Sequence, residues 1–290
     1  MIPEISASKV AGLIGLHRYQ KPAEIQYDLL CKDKLIKEKI HALEKEYNRR
    51  SFMSVVNEVM RDQPVLDCIA SGLDAAKTTD DVSSVLEEVE QQAKLILDLR
   101  RDSFTPELRN QLASEIRGKV SRQRGLNNEN TILDQYETQR DVKVTDRNTK
   151  TFKKTYGSFR LIGRTDGYVA SENRIVDSKD RTRFWAQVPL YDEIQLRCYM
   201  DMSGATESEL IERFPNGDVR HTKFMNDPEK WRVIQEAIEK AVVTLNEALD
   251  NPEELQRIVF ANTVCTQSNG SAALGPRTPR VQSDAPSPRV

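Results

Sequence analysis

Histidine and cysteine are scarce in this chain: three His and four Cys (Cys31, Cys68, Cys198 and Cys265) among 290 residues. No two cysteines form a CxxC pair, so the spacing that builds a structural zinc site is missing. No apolar run approaches the 20 or so residues that a bilayer-spanning helix needs, and no secretory leader opens the chain. These absences predict a soluble, intracellular protein with reduced thiols and no membrane partner. Net charge is small as well, −2 with 30% charged residues. Bulk charge therefore gives no sign of a nucleic-acid partner.

What is present is an uneven distribution of that charge. From Arg140 to Arg197 there are 13 Lys/Arg against 8 Asp/Glu, and from Arg100 to Arg124 there are 7 against 3. Local basic excess of this kind suits a surface that tracks a phosphate backbone, and equally a solvated face of mixed charge. The chain is long enough to bury one large core or two small ones.

Periodicity divides the chain into a helical first part and a mixed second part. Residues 5–33 read as two short helices, the first capped by Ser6 or Ser8 and ended by Gly15, the second opened by Pro22. Residues 34–120 read as helical throughout, with Val82, Val85, Leu86, Val89, Ala93, Ile96 and Leu99 forming an apolar stripe. Pro106 opens a helix to about Arg122, Gly125 breaks it, and Asn127 or Asn128 caps another from Glu129 to about Gln139. The period then changes to two. Strands are expected at Val142 and Val144, at Phe152, and over 156–162, 166–169 and 174–177, with a turn at Ser171-Glu172-Asn173. A helix follows from Val188 to Met202, then a hairpin around Pro215-Asn216-Gly217-Asp218. Asp227 and Pro228 start a helix whose apolar face carries Trp231, Ile234, Ile238, Val242 and Leu245. From residue 263 the composition turns to Ser, Pro, Gly and Arg, which predicts a disordered tail. The order of elements implies an α/β or α+β core preceded by a helical part.

The chemistry concentrates between Gly163 and Tyr199. Asp166 lies on one apolar run and Asp177 on the next, with Lys179 two residues on. Strand side chains alternate, so Asp177 and Lys179 share a face. Two carboxylates and a lysine across a hairpin suit hydrolysis of a phosphodiester, which needs an activated water and an answer to extra negative charge. Hard oxygen ligands suit Mg²⁺ or Mn²⁺, and Asp166, Asp177 and the backbone carbonyl of Ser178 are the candidates. Lys179 is placed to orient or deprotonate water, or to offset charge in the transition state. Glu129, one helix upstream, is a candidate to complete the shell, directly or through water. Gln195 and Tyr199, four apart on a helix, share a face and are candidates to touch the strand or buttress the lysine. Arg164, Arg181 and Arg183 are candidate phosphate contacts. Taken singly, each feature is ordinary: Asp-x-Lys occurs on surface strands, and Glu129 is a common first-turn acid.

In order, however, the set resembles the PD-(D/E)xK nuclease superfamily, above all the lambda-type exonucleases and YqaJ-like viral recombinases. Their Gly-x-x-x-Glu, Gly-x-x-Asp, Glu-x-Lys and Gln-x-x-x-Tyr match Gly125 with Glu129, Gly163 with Asp166, Asp177 with Lys179, and Gln195 with Tyr199. Asp177 departs from the commoner Glu, within what the superfamily admits. The opening ISASKVAGLIGLHRYQKPAEI also resembles the first helices of that group. The resemblance implies a restriction-endonuclease-like core, a central mixed β-sheet flanked by helices, with an N-terminal helical region. It divides the chain into N-terminal helices (1–33), a helical region or insertion (34–120), a nuclease core (121–262) and a tail (263–290). It implies Mg²⁺ or Mn²⁺ dependence and resection of duplex DNA with free ends, often 5′ to 3′, in recombination, repair or viral DNA processing. It also implies ring-forming homo-oligomers and a strand-annealing or single-strand-binding partner. Ser6, Ser8 and Arg18 are its candidates for a 5′-phosphate. Two other readings stay open on the residues alone: an endonuclease of the same fold, and a non-catalytic DNA-binding or scaffold protein.

Overall fold

The computed structural model describes residues 1–79, 81–100 and 102–265. The elements run β1 (Glu4–Ser6), α1 (Ala7–Leu13), α2 (Pro22–Leu30), α3 (Lys34–Glu46), β2 (Arg49–Ser51), α4 (Phe52–Val59), α5 (Gln63–Thr78), α6 (Val82–Asp98) and α7 (Pro106–Arg140). Then come β3 (Thr151–Thr155), β4 (Arg160–Arg164), β5 (Gly167–Val169), β6 (Arg174–Asp180), α8 (Leu190–Ser203), β7 (Glu207–Arg213), β8 (Val219–Met225), α9 (Pro228–Asp250), α10 (Pro252–Ala261) and β9 (Thr263–Cys265). The fold is mixed α+β, and its sheets are flanked by helices.

The strands divide over two mixed sheets and a small ribbon. One sheet has the order β1-β4-β3 and another β5-β6-β7-β8, with β6 and β7 parallel across the α8 crossover. The chain passes from the first sheet to the second at Thr165-Asp166, between β4 and β5. Alternation along β6 gives the larger sheet two buried faces. Ile175 joins the principal core with α1, α2, α8 and α9, while Val176 joins Ile132, Leu133 and Tyr136 of α7. The helices α4, α5 and α6, with the first half of α7, bury a core of their own.

Local signals predicted several boundaries well. Pro22 opens α2, Asp227 caps α9 through Glu229 N and Lys230 N, and Gly217 (φ +84°) turns the β7–β8 hairpin. All five apolar positions expected on α9 are buried.

Elsewhere the structure differs. Gly125 does not break a helix: α7 runs unbroken for 35 residues, so Asn127 and Asn128 lie inside it and cap nothing. A helical glycine costs about 1 kcal/mol relative to alanine. Burial of Leu112, Ile116 and Val120 before it and of Ile132, Leu133 and Tyr136 after it outweighs that cost. Of the expected strand 156–162, only 160–162 are strand, the start of β4; before them lies a turn closed by Tyr156 N donating to Phe159 O at 2.8 Å, with Gly157 and Ser158 inside it. Val142 and Val144 form no strand, and their neighbour Thr145 makes an isolated bridge to Tyr168. A strand precedes α1, and Ser6 makes no side-chain cap. On α6 the apolar stripe ends in Leu97, buried, rather than Leu99, which lies past the helix and is 87% exposed. The helical stretch 34–120 is interrupted by β2, which pairs antiparallel with β9 from the far end of the chain. Thr263–Cys265, the start of the expected tail, thus belong to the fold, and residues 266–290 lie outside the described residues.

Candidate active site

β6 carries the centre of the site. Its Asp177 and Lys179 point to the α8 side and lie against each other, with Lys179 Nζ 2.6 Å from Asp177 Oδ2. The carboxylate is 2% exposed, and its Oδ1 is buried with no hydrogen-bond partner. Burial, opposed by the Lys179 charge and reinforced by Asp166, pushes the Asp177 carboxyl up to about 7.

Asp166 reaches this strand because β5 stops short. The ladder between β5 and β6 ends at Gly167 opposite Val176, leaving the edge of β6 open beyond that point. Asp166 Oδ2 accepts from the buried backbone N–H of Ser178 at 2.8 Å and from its hydroxyl at 3.0 Å. Those bonds favour the ionised form, yet burial raises the Asp166 carboxyl above its usual range, with Glu129 adding to the shift. Two carboxylates are therefore buried beside one ammonium. Burial acts to lower the Lys179 ammonium, but Asp177, Asp166 and Asp192 together outweigh it and raise it.

Asp192 is a member that spacing did not reveal. It sits in the first turn of α8, 4% exposed, and accepts from Arg181 Nη2 at 2.7 Å. Sequence offered one signal, its place one helical turn before Gln195, but first-turn acids are common. Arg181 is turned inward between Asp192 and Glu212, whose Oε1 accepts from its Nε at 2.8 Å.

Gln195 and Tyr199 lie on α8 as a bonded pair, Gln195 Nε2 donating to the Tyr199 hydroxyl at 2.8 Å. Burial, then the Asp177 charge, raises the Tyr199 phenol. The ring packs over Gly163 of β4, where a Cβ would meet Tyr199 Cε1 at 2.4 Å. Glycine there lets α8 approach β4 and sets the ring beside the carboxylates. Glu129 of α7 is half-buried and accepts from Asn148 Nδ2 at 2.9 Å. Burial raises it, while Asn148 and Lys179 pull it down. Gly125, one turn earlier, has open space where a Cβ would stand.

The chain is similar in structure to solved exonucleases. An alkaline exonuclease from Laribacter hongkongensis matches with a TM-score of 0.39 and 16% identity, over 49% of this chain and 75% of its own. The structure of that enzyme in complex with dAMP matches with a TM-score of 0.39, 15% identity and the same coverage. A phage-related exonuclease from Haemophilus somnus matches with a TM-score of 0.38 and 14% identity, over 45% of this chain and 72% of its own. No family model matches the sequence, and no curated protein matches it.

The basic candidates take different positions. Arg164 is exposed at the end of β4, near enough to Glu129 to act on its charge. Arg183 is exposed and donates to the Tyr19 hydroxyl at 2.9 Å, with its guanidinium 4.4 Å from the Trp185 ring centre. Arg18 approaches the same ring at 5.9 Å. Beneath them the His17 ring stacks on Tyr191 at 4.3 Å. Arg18 and Arg183 thus meet on a cationic, aromatic rim beside the start of α8, to which Tyr19, Trp185 and Tyr191 also belong. Ser6 and Ser8, at the head of α1, bond to each other at 3.1 Å.

The side chains fit a hard cation in their chemistry. Among the described residues no group of three or more His, Cys, Asp or Glu is arranged to hold a metal ion. Two carboxylates remain, one with an orphaned buried oxygen, and such a pair with a backbone carbonyl suits an ion that keeps several waters, as Mg²⁺ does.

Proposed function

We propose that the protein is a metal-dependent nuclease that hydrolyses phosphodiester bonds at the ends of duplex DNA. The observation that carries this reading is the pair of buried carboxylates, Asp166 and Asp177, sharing one lysine and leaving Asp177 Oδ1 without a partner. As a purely structural ion pair this is poor design, since burying a second carboxylate costs several kcal/mol without full compensation. A divalent cation turns that cost into affinity. Asp166, Asp177 and the Ser178 carbonyl would hold Mg²⁺ or Mn²⁺, which when bound supplies an activated water and stabilises phosphate charge. Glu129 stands by to hold a water of that shell.

Lys179 offers its ammonium to the attacking water and to the charge that develops on phosphorus oxygens. The Gln195–Tyr199 pair walls the carboxylates and offers polar ends to the scissile strand. Arg183, Arg18 and Arg164 are exposed and, among the described residues, have no acidic partner holding them from phosphates, whereas Arg181 already serves Asp192 and Glu212. The aromatic rim beside Arg183 suits the bases of a duplex end, which favours end resection over internal cutting; the 5′ to 3′ sense is what the family resemblance implies. Recombination, repair or viral DNA processing are the settings for such a reaction.

The test is digestion of a linear duplex with one 5′-phosphorylated strand, beside a closed circle, with Mg²⁺ or Mn²⁺. We expect loss of the linear substrate only, and cleavage slowed about a hundred- to thousandfold by Lys179→Ala, the cost of one lost transition-state contact. Full activity in that variant would sink the reading. Nicking of the circle would make the protein an endonuclease, and metal-independent binding without cleavage would make it a DNA-binding protein.

A further inference from the structure

On the side of β6 away from Asp177 lies a second polar feature. A cavity of about 550 Å³ opens between the end of α5, the middle of α7 and the β7–β8 turn. Lys77, Arg124 and Arg213 line it, with Asn127, Asn128 and Asn216, and none of its described lining residues is acidic. That is an unusual lining in a chain that holds more acids than bases.

The two arginines compete for one carboxylate. Asp180, 1% exposed in its side chain, faces Arg124 Nη1 at 2.7 Å and Arg213 Nε at 3.1 Å. Asn128 Nδ2 donates to Asp180 Oδ2 at 2.6 Å and Arg213 Nε to its Oδ1, while Arg124 meets the carboxylate only as an ion pair. Arg124 Nε and Nη1 are both buried with no hydrogen-bond partner. Burial and then the neighbouring Arg213 charge work to lower the Arg124 guanidinium, against the pull of Asp180. Two guanidiniums and one carboxylate leave positive charge facing a half-enclosed space, where water screens it poorly. An anion entering the cavity would relieve that repulsion and take up the spare donors.

The size and remaining walls narrow the anion. The volume falls within the range of small-molecule sites. Phe214 gives an apolar wall, and the asparagines give paired donors and acceptors for a ring edge. We propose that this cavity binds a small phosphate-bearing ligand of nucleotide size, its phosphate held by Arg124, Arg213 and Lys77. Asp180 follows Lys179 on β6 and Asn128 precedes Glu129 on α7. Occupancy therefore bears on the two elements that carry the candidate active site. The binding itself stands apart from the nuclease reading.

Calorimetric titration and thermal shift of the full chain test this, with ADP, AMP, adenosine, inorganic phosphate and a short single-stranded oligonucleotide as probes. ADP and AMP are expected to bind and raise the melting temperature, and adenosine is not. Lys77→Glu and Arg213→Gln are each expected to weaken ADP by about tenfold or more, the loss of one charge-assisted contact. Lys77 is exposed and pairs with Asp74 on the surface, so its variant leaves the fold intact. Lys179→Ala, on the other face of β6, is expected to bind ADP as the wild type does. Absence of binding by either nucleotide at millimolar concentration overturns the proposal, as does wild-type affinity in both cavity variants. Inorganic phosphate binding as tightly as ADP overturns the nucleotide size. Tighter capture of the oligonucleotide, lost in the same variants, makes the cavity a nucleic-acid groove and overturns the small-ligand assignment.

Discussion

Replacing Gly163 by alanine drives a methyl group into the Tyr199 ring. The added carbon would stand 2.4 Å from Cε1 and 2.9 Å from Cδ1 of that ring, and 2.9 Å from Met202 Cε. Carbon atoms rest at about 3.5–4.0 Å, so the ring must retreat by roughly 1 Å. Met202 is flexible and yields cheaply. Tyr199 does not, because its ring is 4% exposed within the principal core and its hydroxyl is tied to Gln195. Overpacking of this kind costs about 1–3 kcal/mol. In a chain of this length each kcal/mol moves the melting temperature by about 2–4 °C, so a fall of about 2–12 °C is expected. The same shift moves the Gln195–Tyr199 pair away from the carboxylates, and cleavage should fall with stability.

Circular dichroism melts read the first effect, and two further variants sharpen it. Tyr199→Leu on the Gly163→Ala background removes the obstructing ring. That pair should be more stable than the two separate losses sum to, because residues in contact do not add. Gly125→Ala is the opposite control: nothing lies within 4 Å of the new carbon. Inside a helix alanine is preferred, and the variant should gain about 0.5–1 kcal/mol. If Gly163→Ala melts with the wild type while Gly125→Ala loses stability, the packing argument for both glycines is refuted.

Two other outcomes follow from buried charge. Asp192→Asn leaves the buried Arg181 with Glu212 alone, which Arg220 also shares, and should cost about 3 kcal/mol. An unchanged urea midpoint would mean that this ion pair contributes nothing. Glu209 is fully buried; burial acts to raise its carboxyl, but the nearby His221 ring, the bond from Tyr136 and the charges of Arg174 and Arg140 outweigh it and hold it at about 2. A depressed carboxyl stabilises above its unfolded value of 4.5 and loses that contribution as pH falls toward 2, about 3 kcal/mol in all. The stability gap between wild type and Glu209→Gln, measured by urea unfolding, should be largest above pH 5 and narrow steadily below 4.5; a constant gap would contradict the network's charge.

The parts of this fold that sequence made legible are those fixed by neighbours along the chain. Asp227-Pro228 starts α9 because the carboxylate caps the two N–H groups that follow it, whatever lies elsewhere. The Asp177–Lys179 spacing works the same way, since a strand returns each second side chain to one face. What escaped depended on partners far away. The strands β2 and β9 are three residues each and pair across most of the chain, so neither carries a pattern of its own. Gly125 was misleading because the force that keeps α7 whole comes from two separate cores, one at each end of it. Asp192 became part of the site only when α8 folded over β6 and brought it to Arg181 and Lys179.

Four consecutive residues on β6 serve two separate polar environments, and strand geometry is what keeps them apart. Asp177 and Lys179 face α8 and Ser178 Oγ donates to Asp166 beside them, while Asp180 turns to Arg124 and Arg213. The same period that lets a strand bury two apolar faces here lets it bury two carboxylates without bringing them together. Each environment answers its carboxylate differently. Asp180 has two arginines and an asparagine around it, and Arg124 Nε and Nη1 find no hydrogen-bond partner, which leaves a surplus of donors. Asp177 has one lysine and an orphaned oxygen, which leaves a surplus of acceptors. A site short of positive charge calls for a cation, and one short of negative charge calls for an anion. The imbalance on each face, more than any single residue, is what argues that both sides of β6 bind something.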